Sequence, residues 1–250
     1  MPLMWLAPAA YGAEGMWLPE QIPSLGARLA ADGVTLDPNA LSDLSGDLLG
    51  AVVSLGGCTA SFVSPDGLLI TNHHCAFRTI QHHSTPDRDL LKDGFLAEDR
   101  EDELFAAPGS YVYVTTGTRD VTAEVTGAIP RRIKDDERAR LVEVRERTLV
   151  GACEAEPGTR CKVARLYEES QFVLVTQREI QDVRLVYAPA SGIGNFGGEV
   201  DNWMWPRHTG DFAFLRAYVG SDGFAAPPSP KNVPFHPPDW LKVSTEPLEE

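Results

Sequence analysis

The sequence predicts a mainly β protein, an antiparallel barrel or sandwich with short helices near its N-terminus and one long helix inserted among the strands. Three observations predict it. From Val52 onward, short runs with a period of two recur along the chain. Turn signals separate them, Pro65-Asp66-Gly67 and Pro108-Gly109 among them. Only residues 133–152 carry a helical pattern of any length. With 250 residues and 43% hydrophobic content, the chain can bury one large core or two small ones.

The elements follow in order. "MPLMWLAPAAYGA", residues 1–13, is apolar, ends in small residues and precedes the polar "EGMWLPEQ". It is expected to be the end of a signal peptide, cleaved after Gly12 or Ala13, although it has no basic segment and Pro8 interrupts it. No stretch is long enough to span a membrane. In residues 14–50, "PSLGARLAADG" and "DPNALSDLSGDLLGAV" read as short helices, with Asp37 or Asn39 as caps. "VVSLGG", "CTASFVS", "GLLITNHH" and "SYVYVTTGTRDVTAEV" read as strands, and the Pro65-Asp66-Gly67 turn makes a hairpin of Cys58–Ser64 and Leu68–Asn72. The helical segment "IKDDERARLVEVRERTLVGA" places Leu141, Val144 and Leu149 on its apolar face, with charges elsewhere. Strands resume in "CKVARLYEES", "QFVLVTQREIQDVRLVYAP" and "DFAFLRAYVG", and a proline-rich loop then leads toward another strand.

Charge and cysteines narrow the function classes. A net charge of -14 repels phosphate backbones, which argues against nucleic acid as a partner. The four cysteines fall into two close pairs, Cys58 with Cys75 and Cys153 with Cys161. Even number and local pairing suggest two disulfides and an oxidising compartment, periplasmic or secreted. Zinc is the rival, but neither pair has the C-x-x-C spacing of a zinc knuckle and no histidine pair completes a ligand set.

The stretch "GLLITNHHC" admits three readings: a metal site, structural histidines beside a disulfide, or the general base of a serine peptidase. Adjacent residues on a strand point to opposite faces, so His73 and His74 are poorly placed to ligate one metal, and His82-His83 repeats the difficulty. No metal and no cofactor is expected. "SGIGNFGG" holds a G-x-G-x-x-G from Gly192 to Gly197, but the following "EVDNWMWPRHTG" is a poor helix start, so a glycine-rich loop allowing close backbone approach fits better than a nucleotide site. A serine nucleophile needs an imidazole base, and the imidazole needs a carboxylate that fixes its tautomer. His74 directly precedes Cys75, which a disulfide to Cys58 would tie to the partner arm of the hairpin. Asp211 opens the strongly alternating "DFAFLRAYV", with Phe212, Phe214 and Tyr218 on one face and Ala213, Leu215, Ala217 and Val219 on the other. On spacing alone, one His and one Asp are more often structural than catalytic.

Resemblance adds the rest. "GLLITNHHC" and "GDFAFLRAY" resemble the histidine and aspartate segments of chymotrypsin-like peptidases. The likeness is closer to the bacterial serine dipeptidyl-peptidase family, of the dipeptidyl peptidase 7 and 11 type. It is carried by "EGMWLPEQIPSLG", "GGCTASFVSPDGLLITNHHCAF", "LLKDGFLAEDREDELFAAPGSYVYV", "IQDVRLVYAPASGIGNFGGEVDNWMWPRHTGDFAFLRAYV" and "WLKVS". The resemblance implies a chymotrypsin-like antiparallel barrel, the first half of a double-barrel peptidase domain. It implies His74 as catalytic base, Asp211 as orienting acid, and Asn202 and Trp203 as holders of the substrate's free α-amine. An amide oxygen can accept from an ammonium, and an indole face attracts a cation. The family's nucleophilic serine lies in a segment with no counterpart here, so residues 14–250 are expected to be the N-terminal part of a peptidase domain, inactive alone. The expected partners are peptides with a free N-terminus, with a homodimer of the complete protein left open. A chymotrypsin-like endopeptidase and a non-catalytic β-barrel binding module are the alternatives.

Overall fold

The computed structural model describes residues 17–44, 46, 49–130, 132–201 and 208–244. The chain divides into two units, one ending at Asp43 and one beginning at Leu44. In the first, a 3-10 helix over Pro19–Leu25 runs into α1, Gly26–Ala31. Among the described residues, the second predicted helix of this region does not form. Asp37 Oδ1 instead accepts from the Asn39 backbone N–H (2.9 Å), an Asx turn, and only a single 3-10 turn, Leu49–Ala51, appears further on. Asp and Asn offer the backbone such local partners, and here the turn prevails over the helix.

The second unit begins with three short strands, β1 (Val52–Ser54), β2 (Thr59–Phe62) and β3 (Leu68–Thr71), each antiparallel to the next. The turn between β2 and β3 requires glycine at 67. Its φ is +70°, and a β-carbon there would lie 2.7 Å from the Phe235 carbonyl oxygen. β3 ends at Thr71 and helix α2, His73–His83, begins at once. A short helix α3 (Leu90–Asp93), capped by the Asp89 carboxylate, and strands β4 (Phe95–Leu96) and β5 (Leu104–Phe105) precede the long β6, Val112–Asp120. Helices α4 (Thr122–Thr126) and α5 (Asp135–Cys153) come next, then β7 (Thr159–Leu166), β8 (Gln171–Ile180) and β9 (Asp182–Ala188). Two single-turn helices, α6 (Ser191–Gly194) and α7 (Gly198–Asp201), lead toward β10 (Ala213–Val219), and β11 (Val233–Pro234) pairs with β10.

The pairing order is β4-β9-β10-β3-β2-β1-β6-β8-β7. Because β8 and β9 are separated only by Gln181, they are two segments of one strand: Ile180 pairs with Val112 of β6, and Asp182 pairs with Tyr218 of β10. The path β1, β2, β3, β10, β9/β8, β6 therefore returns on itself. Closure leaves no open edge in this circuit. Its interior is one apolar cluster that includes Phe62, Leu69, Val112, Ile180, Leu185, Leu215 and Ala217. The sequence-based barrel expectation holds, and the sandwich alternative does not.

Beyond the circuit, β6 and β8 extend together with β7 and are covered by α4 and α5. Acidic residues Asp135, Asp136 and Glu137 occupy the first turn of α5, where they complement the helix dipole. Its buried contact with the sheet comes from Val142, with Leu149, Val150 and Cys153 partly buried beside it. Val144, placed on the apolar face by the sequence pattern, is 53% exposed. The Cys153–Cys161 disulfide and a two-pronged ion pair, Arg165 Nε and Nη2 to the Glu146 carboxylate (2.9 and 2.8 Å), fasten α5 to β7.

Candidate active site

The site forms where β3 gives way to α2, beside the start of β10. β3 and β10 are antiparallel neighbours, and Thr71 pairs with Ala213. The residues just past this pair, Asn72–His74 after the end of β3 and Asp211 before the start of β10, are therefore brought face to face. The histidines sit on the first turn of a helix, not on a strand end as the sequence pattern suggested. Successive helical residues diverge by about 100°, so His73 turns inward and is 2% exposed while the His74 side chain is 69% exposed. Asp211 precedes β10 by two residues, where the sequence reading placed it at the strand's first position.

Asp211 gathers three hydrogen bonds from two residues, Asn72 and His74. Its Oδ2 accepts from His74 Nδ1 (2.9 Å) and from Asn72 Nδ2 (3.1 Å), and its Oδ1 accepts from the His74 backbone N–H (3.2 Å). Burial pushes the carboxyl pKa up, but the hydrogen bonds and charge of His74 and the Asn72 amide outweigh it and hold the group below the ordinary carboxylate value. A carboxylate only accepts, so His74 carries its proton on Nδ1 and presents Nε2 as a free acceptor. No described serine hydroxyl hydrogen-bonds that outer nitrogen.

Three features hold the pair. Cys58, just ahead of β2, is bonded to Cys75 in the first turn of α2, which ties the helix start to the β2–β3 hairpin. Phe212, next to Asp211, stacks on Tyr187 of β9 with ring centroids 5.5 Å apart, fixing the entry of the chain into β10. The α6 loop supplies the third. Gly210 N–H donates to the Ile193 carbonyl (2.9 Å) and Thr209 Oγ1 donates to the Gly194 carbonyl (3.1 Å). Gly194 also packs directly on the His73 ring, and a β-carbon there would overlap the ring atoms. This is the close backbone approach expected of "SGIGNFGG". Burial lowers the His73 pKa and outweighs the opposing pull of Asp211 and the Pro189 carbonyl, with His74 adding to the lowering, so this ring is held toward its neutral form.

Cys58, His74 and Cys75 are the one metal-type grouping among the described residues, and both sulfurs belong to the disulfide. A metal needs thiolate, so only the imidazole is left to it. Asn202, Trp203 and the apolar segment 1–13 lie outside the described residues. Sequence reasoning missed Asn72, whose partner Asp211 lies 139 residues away.

Known proteins resemble this chain over most of its length. The sequence model of the peptidase S46 family matches residues 12–250. An Asp/Glu-specific dipeptidyl-peptidase of Shewanella putrefaciens is 42% identical over 93% of this chain and 32% of its own length. A dipeptidyl-peptidase 7 of Capnocytophaga gingivalis is 36% identical over 95% of this chain and 33% of its own. Among solved structures, the dipeptidyl peptidase 11 of Porphyromonas endodontalis in complex with substrate superimposes with a TM-score of 0.83 at 39% identity, over 95% of this chain and 36% of that one. The chain thus spans about a third of the length of the relatives it matches.

Proposed function

The chain belongs to the peptidase S46 family, and from that premise we propose that it carries the base and the orienting acid of a serine exopeptidase that releases dipeptides from free N-termini. The observation that carries this reading is the 2.9 Å contact of His74 Nδ1 with Asp211 Oδ2, made by a ring whose other nitrogen is open to solvent. In the proposed reaction, Nε2 of His74 takes the proton of a serine hydroxyl as it attacks the scissile carbonyl. The same nitrogen then returns the proton to the leaving amine, while Asp211 holds the Nδ1–H tautomer and balances the transient imidazolium. The serine is assigned to polypeptide outside these 250 residues, in keeping with relatives about three times as long.

Asn202 and Trp203 are proposed to hold the substrate ammonium, by amide acceptance and by the indole face. Two disulfides support assembly in an oxidising compartment, so we place the protein in the periplasm or outside the cell. The test uses the full-length protein that contains this chain, with a matched pair of dipeptide reporters, one free and one N-acetylated. The free reporter is expected to be cleaved and the acetylated one spared. His74→Ala is expected to lower kcat by a factor on the order of 10⁴ or more, because such residues act as a unit. Equal cleavage of both reporters would favour the endopeptidase alternative, and full activity in His74→Ala would remove His74 from the chemistry.

A further inference from the structure

We propose that Asn72 is a positioning residue for the His74–Asp211 pair. This rests on the catalytic reading of that pair, but its structural basis is independent of it. Asn72 stands at the N-cap of α2, the position where an Asn side chain ordinarily accepts a backbone N–H from the first turn. Here its side chain makes no such bond. The amide points instead across to the start of β10, and its Nδ2 reaches both the Asp211 backbone oxygen (3.3 Å) and the Asp211 carboxylate Oδ2 (3.1 Å). Both partners are acceptors, so only the NH₂ end can face them, and the amide orientation is fixed by chemistry.

The two residues have exchanged tasks. Asp211 Oδ1 accepts the His74 N–H (3.2 Å) and so satisfies a free donor of the α2 first turn, which the residue at the cap leaves unmet. Asn72, released from capping, ties down the carboxylate that does the capping. One amide thereby holds Asp211 by main chain and side chain together. Without it, the carboxylate keeps only His74 as its donor among the described residues, through the ring and through the backbone, and rotation about χ2 can exchange its two oxygens. The amide adds no group that touches substrate. It acts on the reaction only through the orientation of Asp211, and through Asp211 on the tautomer of His74.

The test compares Asn72→Ala and Asn72→Asp in the full-length protein with wild type and His74→Ala. Asn72→Ala is expected to lower kcat on the order of tenfold, the equivalent of one hydrogen bond to a charged group at a partly exposed site, with KM changed less than about twofold. Asn72→Asp keeps the shape but sets a second carboxylate against Asp211. It is expected to lower kcat further and to move the acid limb of the pH–kcat/KM profile to higher pH, because added negative charge favours the imidazolium. A readout free of turnover accompanies these. The far-downfield proton resonance of His74 Nδ1–H in wild type is expected to broaden or exchange faster in Asn72→Ala at unchanged melting temperature. Wild-type kcat in both variants, or a loss seen only in KM or in melting temperature, overturns the inference. An unaltered Nδ1–H resonance in Asn72→Ala overturns it whether or not His74 proves catalytic, whereas undiminished activity in His74→Ala overturns the catalytic reading and leaves the resonance to judge Asn72.

Discussion

His73 and His74 are neighbours with opposite environments, and that contrast sets what each can do. The exposed ring of His74 meets Asp211 and presents a free nitrogen, while the ring of His73 is buried against Gly194, with Nε2 unpartnered among the described residues. Burial lowers the His73 pKa in the folded state, whereas the unfolded imidazole titrates near its ordinary 6.5. As pH falls below about 6.5, the unfolded chain takes up a proton that the folded chain resists, so His73 costs stability from there down to its lowered folded value. Asp211 acts in a separate, lower window. Its depressed pKa contributes stability above the ordinary carboxylate range, and that contribution is lost as pH falls through the lowered value. Denaturant titrations between pH 8 and pH 4 should therefore show a shallower decline on going below about 6.5 in His73→Gln than in wild type; equal slopes would refute the assignment. Gly194→Ala should destabilise by about 1–3 kcal/mol, because a methyl group must displace the His73 ring or the α6 backbone.

At the scale of elements, the disulfides and the helices they fasten carry the expectations. Cys58–Cys75 spans 17 residues of sequence and ties α2 to the hairpin, so the double replacement Cys58→Ala/Cys75→Ala should lower stability by about 3 kcal/mol. In α5, Val142→Ala should cost about 2 kcal/mol and Val144→Ala close to nothing, since the first side chain is buried and the second exposed. A pair of melting curves distinguishes them. Legibility in the sequence follows the same line. The β2–β3 hairpin, α5 and β10 were readable because turn chemistry and periodicity both marked them. α2 was not, because its apolar residues are few and two histidine pairs disguise its period, so the apolar run before it seemed to continue as strand. The face of α5 was misjudged by a fraction of a turn for a related reason: Leu141, Val142, Val144, Leu149 and Val150 allow several stripes, and only the position of the sheet selects Val142. His74 and Asp211 were legible through resemblance. Asn72 was not, since its role depends on β10 arriving beside it from 139 residues away.

For the molecule as a whole, the closed circuit decides what the chain can do by itself. Every strand of the circuit lies between Val52 and Val219, and one apolar cluster fills it. The His74–Asp211 contact is made at the junction of two of those strands, β3 and β10. In the proposed mechanism the base and its orienting acid act on a serine that comes from elsewhere in the polypeptide. The purified 250-residue chain is therefore expected to fold with both disulfides formed and to modify readily at His74, but not at the buried His73, with an imidazole-directed reagent. It is expected to give no turnover of the free dipeptide reporter above the uncatalysed rate, and addition of a polypeptide supplying the missing serine segment should restore cleavage. Mass spectrometry of the modified peptides and a progress curve with the reporter check both halves. Turnover by the chain alone would place a nucleophile within residues 1–250, and modification of His73 as readily as His74 would show that the packing of α6 against α2 does not hold in solution.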